Sequence, residues 1–197
     1  MKKLLSTLVL LIALQLSAQS PKEPEFGGVA ISLSQDLKFM TIGDKERGYD
    51  AYTRDILVKV KLKGRKKRGQ TGRSFALVEY ENAALEFGYE RISAGFGRSF
   101  GGYYTPKFLF IPEIDWSFAP SISYGLVIRG GKNKGHFNVI FENTARISDT
   151  FNFVMTHQLT QRQDLAFVYG DRGKWKYSFL VGFEIKINVF QPTKTAN

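Results

Sequence analysis

From Trp175 onward the chain alternates. Trp175, Tyr177, Phe179, Val181, Phe183, Ile185, Ile187 and Val189 are apolar or aromatic. Between them stand Lys176, Ser178, Leu180, Gly182, Glu184, Lys186 and Asn188, all but one small or polar. Successive side chains of a strand point to opposite faces, so period two over this length means a strand with one greasy and one polar face. A helix would spread the same side chains around its circumference.

The pattern recurs upstream. It runs through 56–62, 85–89, 122–128, 137–147 and 151–155, and more weakly through 29–34, 75–81, 107–118 and 164–169. Turn-forming residues separate these stretches: Gly64 to Gly72, Asn82, Gly101-Gly102, Ala119-Pro120, Gly130-Gly131 through Gly135, Ser148-Asp149, and Asp171 to Gly173. The count is about ten strands, with eight as the alternative. No long helical period and no linker appears, so the alternating region reads as one all-β domain. The 17 Phe, 9 Tyr and 19 Gly fit a β protein rich in turns. The absence of cysteine excludes disulfides, a thiolate metal site, a cysteine nucleophile and a cysteine-linked lipid anchor.

Residues 1–18 read as an export signal: Met1-Lys2-Lys3, an apolar stretch from Leu4 to Leu16, then Ser17-Ala18 before Gln19. The mature chain then divides into a barrel over 19–190 and a short tail over 191–197. The signal's apolar stretch is too short for a spanning helix, and no later stretch approaches that length. A membrane form must therefore be a closed antiparallel barrel, because only closure satisfies every backbone group in lipid.

Alternation alone does not say which face is inside. A soluble exported barrel holding a small apolar ligand, lipocalin-like, turns the greasy set inward. A transmembrane up-and-down barrel turns it toward lipid. The polar face here mixes charges with Gly, Ser and Thr, as at Ser178, Gly182 and Glu184, which suits a narrow packed interior. Trp116, Tyr124, Tyr169, Trp175 and Tyr177 fall near strand ends, as interfacial aromatics do. The transmembrane reading is the stronger, with the soluble barrel as the alternative. It puts Lys59, Lys61, Glu79, Glu81, Glu86, Glu90, Glu113, Asp115, Arg129, Glu142, Arg146, Glu184 and Lys186 in the lumen, where they must pair.

The Leu16-Ser17-Ala18-Gln19 ending, the serial amphipathic strands and the aromatic closing strand Trp175 to Phe190 resemble small bacterial outer-membrane β-barrel proteins. That resemblance implies residence in the cell outer membrane and a structural or interaction role. It covers the whole mature chain and rests on patterns, not on fixed residues. Phe190 is followed by seven further positions, 191–197, whereas members often end on Phe.

The remaining candidates are charge clusters. Arg65, Lys66, Lys67 and Arg68, with Lys132 and Lys134, are candidate contacts to lipid phosphates at the membrane rim. The partners implied are outer-membrane lipid, and lipopolysaccharide phosphates or another envelope protein, with no nucleic acid. With the N-terminus periplasmic and ten strands, both basic turns fall on the periplasmic side. His136 and His157 have no Ser and acid placed on a common face, so the expectation is no enzyme. Gly95 to Gly102 lacks the ending of a phosphate loop, and no metal-ligand spacing appears, so no cofactor is expected.

Overall fold

The computed structural model describes residues 27–44, 48–64, 72–105, 114–170 and 175–187. The export signal, Arg65 to Arg68, Glu113, Phe190 and the tail lie outside them. Eight strands form a closed antiparallel barrel in which each pairs with its neighbours in sequence and the last pairs with the first. They are β1 (Gly28–Asp36), β2 (Asp55–Lys63), β3 (Arg73–Ala83), β4 (Tyr89–Thr105), β5 (Ile114–Arg129), β6 (Lys132–Arg146), β7 (Phe151–Gln161) and β8 (Trp175–Ile187). Among the described residues two short helices, α1 (Leu37–Thr41) and α2 (Asp164–Tyr169), sit between β1 and β2 and between β7 and β8. No helix among the described residues is long and apolar enough to cross a membrane.

The count of eight, not ten, has two causes. First, the described part of 107–118, from Ile114 on, belongs to one strand with 122–128. Pro120 stays inside β5, paired to Phe141 of β6, while the ladder to β4 skips from Ser121 to Phe118. A proline cannot donate to the ladder, and the gap falls where it sits. Second, 164–169 is a helix. Asp164 occupies its first turn and Gly170, at φ 69°, stops it in the left-handed region.

The largest departure is β4. The phase read through Leu85, Phe87 and Tyr89 is broken by a turn at Phe87 and Gly88, with φ 63° and 64°. Tyr89 therefore starts β4 pointing inward, and the parity of everything after it is reset. The rest of β4, with its repeated glycines, lies outside the alternating stretches read from the sequence, and Gly101-Gly102 within it is one of the expected turns. Two inward glycines explain their own presence. A Cβ on Gly95 would come within 2.0 Å of Ile122 O, and one on Gly125 within 2.0 Å of Ile92 O. The β4 and β5 backbones approach too closely there for any side chain on the inner face.

Strand direction alternates, so the start of β1 and the end of β8 share one end of the barrel with the β6–β7 turn. Helices α1 and α2 and the turns 84–88 and 130–131 share the other. Gly64 and Gly72, which flank 65–71, lie at the terminal end, opposite Gly130 and Gly131. The glycines that flank the first basic run and those that open the second, expected on one side, are thus on different ends.

Candidate functional site

Each strand turns its alternate residues inward, and the inner set is rich in charges, with apolar groups such as Leu57, Leu77, Ile140 and Leu180 among them. Glu184 and Arg91 are 0% exposed, and Lys59 and Glu79 are 1% exposed. The outer set is apolar: Phe96 and Tyr124 are 65% exposed, and Leu33 58%. Aromatic rings cluster on the outer wall, with Phe151 and Phe183 stacked at 5.1 Å and Phe118 and Phe141 at 6.1 Å.

Two opposite strands of the ring, β2 and β6, meet across the interior. Lys59 Nζ is 2.9 Å from Glu142 Oε2, and Lys61 binds both Glu142 and Glu184. Lys63 Nζ is 3.5 Å from Glu184, which also accepts from Asn152 Nδ2 at 2.9 Å. A second layer centres on Glu79, whose Oε2 accepts from Ser123 Oγ at 2.7 Å, Ser93 Oγ at 3.0 Å and Asn138 Nδ2 at 3.4 Å. A third joins Arg91 to Glu81 at 2.5 Å and to Gln158 at 3.1 Å, and Gln158 donates back to Glu81 at 3.1 Å. Buried charges persist only when paired and hydrogen-bonded, and these layers supply the pairs.

The helix end is tied shut through Arg129. Its guanidinium donates to Glu86 O at 2.9 Å, Asp164 Oδ2 at 3.1 Å and Tyr49 Oη at 3.3 Å, so one side chain holds three connections. Arg162 grips Asp164 through two bonds of 2.7 Å and lies over the Tyr89 ring at 4.2 Å. Burial pulls the Asp164 carboxyl upward. The hydrogen bonds and charge of Arg162, then Arg129, outweigh it and hold the carboxyl below its ordinary value. Burial also opposes charge on Arg162, yet Tyr89 and Asp164 raise it above the usual guanidinium range.

A carboxyl depressed in the folded state stabilises above its unfolded value and loses that contribution as pH falls through the lower folded one. The protection factors of the α2 amides, exchange corrected for its intrinsic pH dependence, should therefore stay unchanged from pH 7 to 5 and fall below about 4, near the ordinary carboxylate value. Asp164→Asn should cost about 2–3 kcal/mol of α2 protection at neutral pH. Equal exchange in the variant and the parent at pH 7 would refute this account of the end.

Lys59, Lys61, Glu79, Glu81, Arg129, Glu142 and Glu184 thus lie inside, buried and partnered. Asp115 and Arg146, 3.7 Å apart, and the half-buried Lys186 lie in the inward phase near the terminal end. Two placements need correction. Glu86 is exposed in the β3–β4 turn, and Glu90 follows inward Tyr89 and so points outward. Both errors come from the parity reset at Phe87 and Gly88. The same reset hid Arg91, although the Arg91, Ser93, Gly95 alternation carries the small-and-charged signature seen elsewhere.

Asn138, Gln158 and Asp164 were also missed. The first two are neutral, and Asp164 lies on the stretch read as a strand. His136 does not sit at a strand end but turns inward, 1% exposed and level with Gly125. His157 faces outward, stacked on Phe179 at 4.7 Å with Nδ1 2.7 Å from Tyr177 Oη. Lys132 and Lys134 stand exposed at the start of β6, in the phase that turns inward further down. No cluster of His, Cys, Asp and Glu able to hold a metal occurs among the described residues.

No family model matches the chain, and no curated protein matches it. Among solved structures, the chain is similar to the crystal structure of Neisserial surface protein A. The TM-score is 0.42 at 9% sequence identity, covering 82% of this chain and 96% of that one.

Proposed function

We propose that the chain is a non-catalytic β-barrel of a bacterial outer membrane, exported by a signal cleaved after Ala18, with a structural or interaction role in the cell envelope. The observation that carries this reading is the inside-out distribution of its side chains. Large apolar groups such as Leu33 and Phe96 are exposed on the outer wall, while Lys59, Arg91 and Glu184 are buried at the centre. Water would penalise the first and lipid would welcome it. A soluble barrel with an apolar ligand needs the reverse, an oily interior to receive that ligand.

Aromatic residues toward both ends of the outer wall support the same reading. Trp175, Tyr177, Tyr124 and Tyr80 lie toward the helix end, and Trp116, Phe118 and Phe151 toward the terminal end. Such rings settle at the headgroup level. The two longest connections support an orientation: barrels of this kind have short periplasmic turns and longer outer loops, and the connections carrying α1 and α2 are the longest, although 84–88 and 130–131 at the same end are short. The helix end is then the outer one, and the partners are outer-membrane lipid, with lipopolysaccharide phosphates or another envelope protein at the rim.

The full chain expressed with its own leader should remain with the outer-membrane fraction after carbonate washing. Its band should shift on a gel when the sample is heated, as closed membrane barrels unfold only then. Recovery in the soluble fraction as a folded, monodisperse protein would refute the membrane reading and favour the soluble barrel.

A further inference from the structure

At the helix end the barrel holds a cavity of about 150 Å³. Asp55 and Leu165 line its buried part, with Phe39, Tyr49 and Ser178 beside them, and it also meets Lys38, whose side chain is 52% exposed. Nearly every charge around it is committed. Arg129 and Arg162 both hold Asp164. Lys38 Nζ is 3.3 Å from Asp44, and Lys176 is not free either. The Asp36 carboxylate accepts from the backbone N–H of Lys38 at 2.7 Å and of Phe39 at 3.3 Å.

One oxygen of Asp55 is the exception. The residue is 4% exposed, and its Oδ1 has no hydrogen-bond partner among the described residues. A buried carboxyl oxygen without a donor is costly, and the cost falls when a bound N–H supplies one. The geometry points to a binding site for a small organic ammonium ion, whose N–H donates to Asp55 Oδ1 while its alkyl part lies against Phe39 and Tyr49.

The other properties of the cavity select this ligand class. Phe39 and Tyr49 meet edge to face at 6.1 Å and offer an apolar wall to the alkyl part. A cavity of ~150 Å³ accommodates roughly one benzene-sized molecule. That size admits a monoamine of a few carbons. A bare metal ion would need several converging oxygen ligands, and no such cluster is present among the described residues. The site depends on the closed barrel and not on where the barrel resides, so it stands or falls apart from the membrane reading.

The test uses the mature chain folded in dodecyl maltoside, with folding verified by the heat-dependent gel shift. Saturation transfer from protein to n-butylammonium is compared with transfer to n-butanol, against micelles alone. The expected result is transfer to the ammonium ion, little to the alcohol, and at least ~10-fold weaker binding in Asp55→Asn. Asp149→Asn, remote from the cavity at the other end, should bind as the parent does. Equal transfer to the alcohol, no transfer to either probe, displacement by magnesium, or unchanged binding in a folded Asp55→Asn each overturns the assignment. If Asp55→Asn does not fold, the comparison of ammonium with alcohol on the parent chain decides alone.

Discussion

Glu142→Ala should lower the unfolding free energy by about 3–5 kcal/mol, read as a reduced urea midpoint for the barrel in lipid vesicles. The reasoning is geometric. Lys59 and Lys61 both reach across the barrel to this one carboxylate. Lys61 retains Glu184, but Lys59 is left with Glu79 at 3.9 Å, and no water replaces the lost partner at 1% exposure. Removing both sides should cost less than removing one. Glu142→Leu with Lys59→Met leaves no orphaned ammonium, because Lys61 keeps Glu184. The double variant should therefore be more stable than Glu142→Ala, a non-additivity that a mutant cycle reads directly. A Glu142→Ala barrel within about 1 kcal/mol of the parent would mean that solvent reaches this layer and that the pairs are not sealed.

The second large effect comes from a position with no side chain. Gly125→Val should prevent closure, or cost roughly 3 kcal/mol or more where the barrel still forms. The added carbons would meet Ile92 O and the Ser93 backbone, which are not the ends of flexible side chains and cannot swing away. The readout is loss of the heat-dependent gel shift. Ala76→Val is the matched control, because Ala76 is exposed on the outer wall and has room. A Gly125→Val protein that shifts on the gel like the parent would show that β4 and β5 separate more easily than their spacing implies.

These two sites also mark what the sequence made legible. Residues that alternate cleanly, such as Lys59 and Lys61 between Val58, Val60 and Leu62, declared both their strand and their face. The period of two is a property of single strands and needs no partner. Information that belongs to pairs of strands was not accessible. Nothing in the sequence near Lys59 says that Glu142, 83 positions away, stands opposite it. That relation follows from eight-fold closure, and a count of ten assigns different opposites.

Parity proved the weakest link. One turn at Phe87 and Gly88 exchanged inside for outside, which sent Glu86 and Glu90 inward on paper and left Arg91 without a face. Glycine misled at β4 as well, where Gly101-Gly102 read as a turn although both lie within the strand. Pro120 misled for a related reason. A proline usually ends a strand, but here it occupies a gap in one ladder while the other ladder continues. The short helix α2 had no periodic signature to detect, since six residues make under two turns.

One feature of the ring reaches beyond its own stability. Val29 of the first strand sits directly across from Ile187 of the last, antiparallel and in register like any other neighbouring pair. The sheet therefore has no privileged starting point. A hairpin-length splice between these two positions, with new termini cut at Gly130 and Gly131, would string the same eight staves in a rotated order and carry both chain ends to the opposite mouth.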